Sequence, residues 1–141
     1  MNSRYAEPAH PPAYALEPGL VPHVIGVTGH RDVAPEYAAA IAQCLNLKLR
    51  AFQTAYPNSP KILLCALAEG ADRMAATAAL ELGWMLGVIL PLAQEDYERD
   101  FEDPESLQAF RGLLAQAAFV QEVHAEPLHA DSWKVDQRTA G

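Results

Sequence analysis

Four short apolar runs, rich in β-branched residues, are spaced along the chain at 23–29, 61–67, 85–91 and 118–123. Strands that are buried on both faces of a parallel sheet have this pattern. Longer segments, with apolar residues on one helical face, separate the runs. The first of these predicts a helix from about Pro35 to Ala55, with an apolar stripe formed by Ile41, Leu45, Leu49 and Phe52.

Residues that favour helix termini bound the predicted helices. Proline is tolerated in a first turn, so Pro35 marks the start of the first helix. The second helix follows the turn at 68–72 and ends before Gly83, because glycine commonly follows a helix C-terminus. The third is predicted to begin at Asp103–Glu105, where a capping acid, a proline and a further acid follow one another.

The order of elements is therefore β-α-β-α-β-α-β, which predicts right-handed crossovers and a parallel sheet. We predict a Rossmann-like α/β fold, a three-layer α/β/α arrangement with a mostly parallel sheet of about four strands. Ligands of such sheets bind beyond the carboxyl ends of the strands. Two glycine-containing turns, at 26–31 and 68–72, follow predicted strands and should lie together at that edge.

Composition narrows the class of protein. The chain has 141 residues, the size of one domain, and its formal net charge of -8 argues against general nucleic-acid binding. No apolar run approaches a membrane span and prolines interrupt the N-terminal segment, so we predict a cytoplasmic protein. We divide the chain into a proline-rich extended leader (1–22), the α/β domain (23–123) and a polar C-terminal tail (124–141).

Cysteine and histidine positions give little support for metal chemistry. Cys44 and Cys65 have no metal-binding spacing and are interpreted as small buried residues in a reduced compartment. His124, His129 and Asp131 lie in the polar tail and are interpreted as non-functional. We expect neither a metal nor another cofactor.

The first turn, Gly26-Val27-Thr28-Gly29-His30-Arg31, carries groups that can bind phosphate. Gly29 lets the backbone approach a ligand closely, and amide groups with the Thr28 hydroxyl can bind phosphate oxygens. Arg31 can add a planar, bidentate cation. His30 fits a second donor, an acid/base group or a residue packed on the turn. Taken alone, this sequence also fits a tight turn with a surface arginine.

The second turn leads into a helix N-terminus, which favours anions. Gly70 and Ala71 keep that end free of bulk. Glu69 and Asp72 repel phosphate, so they suit ribose hydroxyls, a base edge or capping of the helix itself. They are also the weak candidates for a catalytic carboxylate.

The acidic stretch from Gln94 to Glu105 follows the third predicted strand. We interpret it as a solvated surface. The alternative is a lid over the strand ends, in which Tyr97 or Phe101 stacks on a base.

Three stretches, VIGVTGHRDV, ILLCALAEGADRMAATAALELGWMLGVILPL and DYERDF, resemble the SLOG superfamily over about residues 23–123. This Rossmann-like group includes the DprA DNA-processing proteins and the LOG phosphoribohydrolases, and the likeness is to bacterial members with GxxGHR and (S/A)xGAD turns. The resemblance implies binding or sensing of a nucleotide-derived, phosphate-bearing ligand. Such members are often attached to or encoded beside effector modules, so an effector protein or module is a further candidate partner. Combined with the turn chemistry, the candidate ligand-binding residues are Thr28, Gly29, His30, Arg31, Glu69, Gly70, Ala71 and Asp72.

The chain departs from the LOG hydrolases at its C-terminal part. Those enzymes carry a PGGxGTxxE segment, whereas this sequence contains no Gly-Gly pair. The resemblance thus implies a domain without its last βα unit, which weakens the case for catalysis more than that for ligand binding. Two alternatives stay open: an N-glycosidic hydrolase of nucleoside monophosphates using Glu69 or Asp72, and a ligand-free interaction module. Because such a sheet exposes an edge or an apolar face, we expect a homo-oligomer with Trp84, Phe110 or Phe119 near the contact.

Overall fold

The computed structural model describes residues 20–123, so most of the predicted leader and the whole predicted tail lie outside the described part. The strands are β1 His23–Gly26, β2 Lys61–Cys65, β3 Met85–Leu90 and β4 Phe119–Glu122. The helices are α1 Pro35–Ala55, α2 Ala71–Glu81, α3 Gln94–Glu98 and α4 Pro104–Ala115. Within residues 20–123 no helix has the length and apolar character needed to cross a membrane.

The four strands form one sheet in the order β1-β2-β3-β4, and every neighbouring pair is parallel. This confirms the predicted parallel α/β sheet. Each crossover steps to the next strand in the same direction, so right-handed connections place the helices on one face. Residues 20–123 therefore form two layers, and the third layer of the predicted arrangement is not formed by this part of the chain.

The two faces of the sheet differ in what covers them. Side chains such as Leu63, Leu86 and Val88 pack with the helices in the main core. The opposite face, here called the open face, carries Val24, Leu64, Gly87, Ile89 and Phe119. The Phe119 ring lies directly over Gly87, whose missing side chain leaves the space for it. Val24 is 52% exposed and Ile89 38% exposed, so part of this face is left exposed, although Ile62, the partner of Val24, is buried.

The helix α1 has the predicted bounds but not the whole predicted stripe. Leu49 is buried and Leu45 packs on the core, whereas Phe52 is exposed, so its assignment to the buried face was wrong. The inward position in the last turn belongs instead to Gln53, whose Oε1 accepts a hydrogen bond of 2.9 Å from the indole N–H of buried Trp84. A hydrogen-bond partner for the buried Trp84 N–H stabilises the fold more than burial of the Phe52 ring at that position would.

The predicted helix termini are confirmed. Asp103 caps α4 by accepting a 3.0 Å hydrogen bond from the N–H of Glu105, with Pro104 as the first helical residue. Gly83 follows α2 with a φ of +77°, the left-handed conformation that ends many helices.

The acidic stretch is anchored by aromatic residues rather than forming a lid. Tyr97 and Phe101 are buried and make ring contacts with each other and with Phe110. The alternative in which Tyr97 or Phe101 stacks on a base is wrong, because both rings belong to the core. Trp84 and Phe110 are buried as well, so neither presents a surface for a subunit contact.

Candidate functional site

The two glycine turns are packed directly against each other. A Cβ atom on Gly29 would stand 2.5 Å from the Cβ of Ala71, and one on Gly70 would overlap the carbonyl oxygens of His30 and Arg31. Gly70 also has a φ of +81°. The N–H of Ala71, the first of α2, donates a 3.2 Å hydrogen bond to the His30 carbonyl. The structure thus brings together the turns that the sequence predicted at one edge.

A cavity of about 380 Å³ lies where the turns meet the carboxyl ends of β1 and β2. Its polar side chains belong to Thr28, which is exposed, and Asp72, which is only 5% exposed. The lining residues are Gly26, Val27, Thr28, Leu64, Cys65, Ala66, Asp72 and Ile89. The cavity therefore combines an exposed hydroxyl, a buried carboxylate and an apolar wall.

The main chain of the first turn supplies several hydrogen-bond donors. The β1–β2 ladder ends with the N–H of Val27, which donates to the Leu64 carbonyl at 2.9 Å. Within residues 20–123, the next four amides, those of 28–31, donate to no protein acceptor. Successive amides without protein acceptors are the groups that bind phosphate and other anions in turns.

Asp72 is tied to the main chain that precedes its helix. The amides of Ala66 and Ala68 hydrogen-bond to its carboxylate, on either side of Leu67, which has a φ of +54°. Burial raises the pKa of Asp72, while these hydrogen bonds and the nearby Arg31 guanidinium oppose that rise. The helix N-cap is Gly70, which makes no side-chain cap, so Asp72 stabilises the turn rather than capping its own helix.

Cys65 shares the cavity with Asp72 and was missed as a lining residue. Burial raises the pKa of its thiol to about 11; the amide of Leu67 opposes this rise and the Asp72 carboxylate adds to it. The thiol is therefore protonated at neutral pH and is a packing group rather than a nucleophile. Its strand position was predicted, but the local pattern did not show that the strand ends at this cavity.

Arg31 lies at the edge of the site with its side chain directed to the segment after α3. Its Nη2 is 3.5 Å from Oδ2 of Asp100, and its guanidinium lies 6.0 Å from the centre of the Phe101 ring. It is close enough to Asp72 to lower the pKa of that carboxyl, so it stays within electrostatic reach of the cavity. His30 is exposed and contributes its main-chain carbonyl to the contact with α2.

Of the eight predicted ligand-binding residues, Thr28 and Asp72 line the cavity, whereas Gly29, His30, Arg31, Gly70 and Ala71 lie outside its lining. Glu69 also lies outside it and is directed to α4. Its carboxylate accepts a hydrogen bond from the Ser106 hydroxyl on α4. Arg73 reaches the same place, donating through Nη1 to the Ser106 carbonyl and hydroxyl oxygens at 2.9 Å and through Nε to the Leu67 carbonyl at 3.0 Å. Glu69 and Arg73 thus fasten α4 to the turn that leads into α2. No local signal could have identified Ser106, which lies 37 positions from Glu69.

A larger groove, of about 530 Å³, lies between the helices and is lined by residues such as Met74, Thr77 and Leu113. Its lining is mostly apolar and comes almost entirely from helices, so the smaller cavity at the strand ends is the better candidate for recognition of a polar ligand. In the described residues there is no cluster of three or more His, Cys, Asp or Glu side chains suited to a metal ion.

Comparison with protein-family models gave no match, and no curated protein was found to be similar to the chain. The chemistry of the cavity is therefore the observation that bears most directly on function.

Proposed function

We propose that the protein binds or senses a nucleotide-derived, phosphate-bearing ligand in the cavity at the carboxyl ends of β1 and β2. The observation that carries the proposal is a cavity lined by Thr28 and the buried Asp72 carboxylate, next to a turn whose amides at 28–31 have no acceptor within residues 20–123. This combination suits a ligand that has a phosphate at one end and hydrogen-bond donors at the other. A nucleotide has both.

The phosphate belongs at the first turn. Gly29 lets the turn pack on Ala71, the amides of 28–31 have no acceptor within residues 20–123, and Thr28 adds a hydroxyl at the cavity. Arg31 supplies a cation that can turn from Asp100 toward a phosphate, because their ion pair is exposed and weak.

Asp72 belongs to the other end of the ligand. A buried carboxylate would repel phosphate, but it accepts hydrogen bonds from ribose hydroxyls or from the N–H groups of a base. Its attachment to the amides of Ala66 and Ala68 fixes its position before a ligand arrives. Asp72 therefore acts as a preorganised acceptor.

Binding without cleavage is the activity that we favour. N-glycosidic hydrolysis needs a carboxylate near the anomeric carbon together with an activated water. Glu69 is engaged by Ser106 and does not line the cavity, and Asp72 is already hydrogen-bonded to the main chain. The resemblance to SLOG proteins with GxxGHR and xGAD turns supports a sensor.

We also propose that the protein is cytoplasmic and forms a homo-oligomer through the open face, with an effector protein or module as a further partner. Exposed Val24 on the open face favours self-association, since both faces of parallel sheets are normally covered.

A thermal-shift titration with adenosine and guanosine monophosphates tests the binding proposal. A ligand at a hundredfold excess over Kd should stabilise the protein by about 2.7 kcal/mol. Thr28→Val should weaken binding about 3- to 10-fold, because one neutral hydrogen bond is lost. Thr54→Val is the matched control, since the Thr54 hydroxyl bonds only within α1. No shift with either nucleotide, or equal loss in both variants, would contradict the proposal.

A further inference from the structure

Arg31 has a carboxylate partner in the absence of any ligand. Asp100, two residues beyond α3, pairs with it across 3.5 Å, and the two side chains are 43% and 51% exposed for Arg31 and Asp100. Ion pairs with this exposure are weak. A bound phosphate can therefore replace Asp100 as the partner of Arg31. The phosphate then lies close to the Asp100 carboxylate, which repels it.

Other arginines of this region also have protein partners. Arg73 is held by Leu67 and Ser106 and Arg111 by Glu98, whereas Arg99 has only a weak, exposed pair with Asp96 and does not line the cavity. Asp72 adds a further carboxylate within reach of Arg31. The site thus offers amides and one shared cation, which suit a single phosphate better than a polyphosphate chain.

From this geometry we infer that Asp100 is a specificity-determining residue, which holds Arg31 when no ligand is bound and selects against long phosphate chains. The inference rests on the proposed function. Each additional ligand charge increases the repulsion from Asp100. At about 8 Å in water, one pair of unit charges changes Kd by about two- to threefold at low salt.

The test compares AMP with ATP by isothermal titration calorimetry, in EDTA and low salt so that ATP keeps its full charge. Asp100→Asn should bind AMP about 5-fold more tightly and ATP about 25-fold more tightly, so the ratio of their Kd values should fall about fivefold. Glu102→Gln is the matched control. It removes the same charge from an exposed side chain on the same segment, and Glu102 has no ion pair among residues 20–123.

The Arg31→Ala background separates competition from simple repulsion. With Arg31 absent, Asp100→Asn has no guanidinium to release, so only the gain from lost repulsion, about fivefold for AMP, should remain. A larger gain when Arg31 is present measures its release from Asp100. Thermal unfolding should show that Asp100→Asn folds like the wild type.

Each outcome decides a different point. If Asp100→Asn leaves the ratio of Kd values unchanged, or if Glu102→Gln shifts it equally, Asp100 does not determine specificity. Binding of AMP by the wild type would still support the proposed function in that case. If neither nucleotide binds the wild type or Asp100→Asn, the proposed function fails and the inference fails with it.

Discussion

The contact between the two glycine turns can be tested with a matched pair of substitutions, Gly70→Ala and Gly83→Ala. Both glycines have a positive φ, +81° for Gly70 and +77° for Gly83. A Cβ on Gly83 would meet nothing within 4 Å, whereas one on Gly70 would overlap the carbonyl oxygens of His30 and Arg31. Gly83→Ala carries the cost of a positive-φ alanine, about 1–2 kcal/mol, and Gly70→Ala carries at least as much, because its ψ of -124° lies in a region that is almost exclusive to glycine. Gly70→Ala also forces two backbone segments apart, which costs about 1–3 kcal/mol more.

Urea denaturation followed by circular dichroism measures these losses as free energies of unfolding. We expect about 1–2 kcal/mol for Gly83→Ala and about 2–5 kcal/mol for Gly70→Ala, with unchanged m-values. At temperatures where both variants are folded, only Gly70→Ala should also lose nucleotide binding. Equal destabilisation by the two substitutions would refute the view that the turns meet at Gly70.

Further predictions concern charge, titration, assembly and catalysis. Arg31→Ala should weaken AMP binding by about 1.5–3 kcal/mol in calorimetry, with little change in unfolding free energy, and Arg50→Ala on α1 should leave binding unchanged. The raised pKa of Asp72 means that the folded state binds its proton more tightly than the unfolded state does. The unfolding free energy of the wild type relative to Asp72→Asn should therefore rise as pH falls toward 3.8. A difference that does not change with pH would contradict this. Val24→Asp on the open face should dissociate the oligomer, as measured by light scattering, whereas Leu47→Asp on α1 should not. A wild-type protein that is monomeric at high micromolar concentration would disprove the assembly. Incubation with adenosine or guanosine monophosphate should release no free base, and release that Asp72→Asn abolishes without loss of binding would favour a hydrolase.

The sheet and most helix bounds could be predicted because they depend on local patterns. Apolar runs gave the four strands, Pro35 and Asp103 gave helix starts, and Gly83 gave a helix end. The sequential strand order could not be read from these patterns, since the same alternation also fits a sheet with helices on both faces.

The location of the candidate site could be predicted from the sequence, but the contacts of its side chains could not. Two turns after two parallel strands must lie at the same edge, so their meeting followed from topology. The roles of Glu69 and Asp72 differ because of long-range partners: Ser106 on α4 draws Glu69 away, while main-chain amides hold Asp72 at the cavity. Similarly, nothing near Arg31 in the sequence indicates Asp100.

Amide chemical shifts during a titration with AMP show whether a nucleotide binds in the cavity at the ends of β1 and β2. In ¹H–¹⁵N correlation spectra, we predict that the largest saturable changes fall on Thr28 and Asp72, which line the cavity, and on 29–31, which continue the first turn. Residues of the groove between the helices, such as Met74 and Leu113, should change little. Spectra that do not change, or changes centred on that groove, would contradict the account.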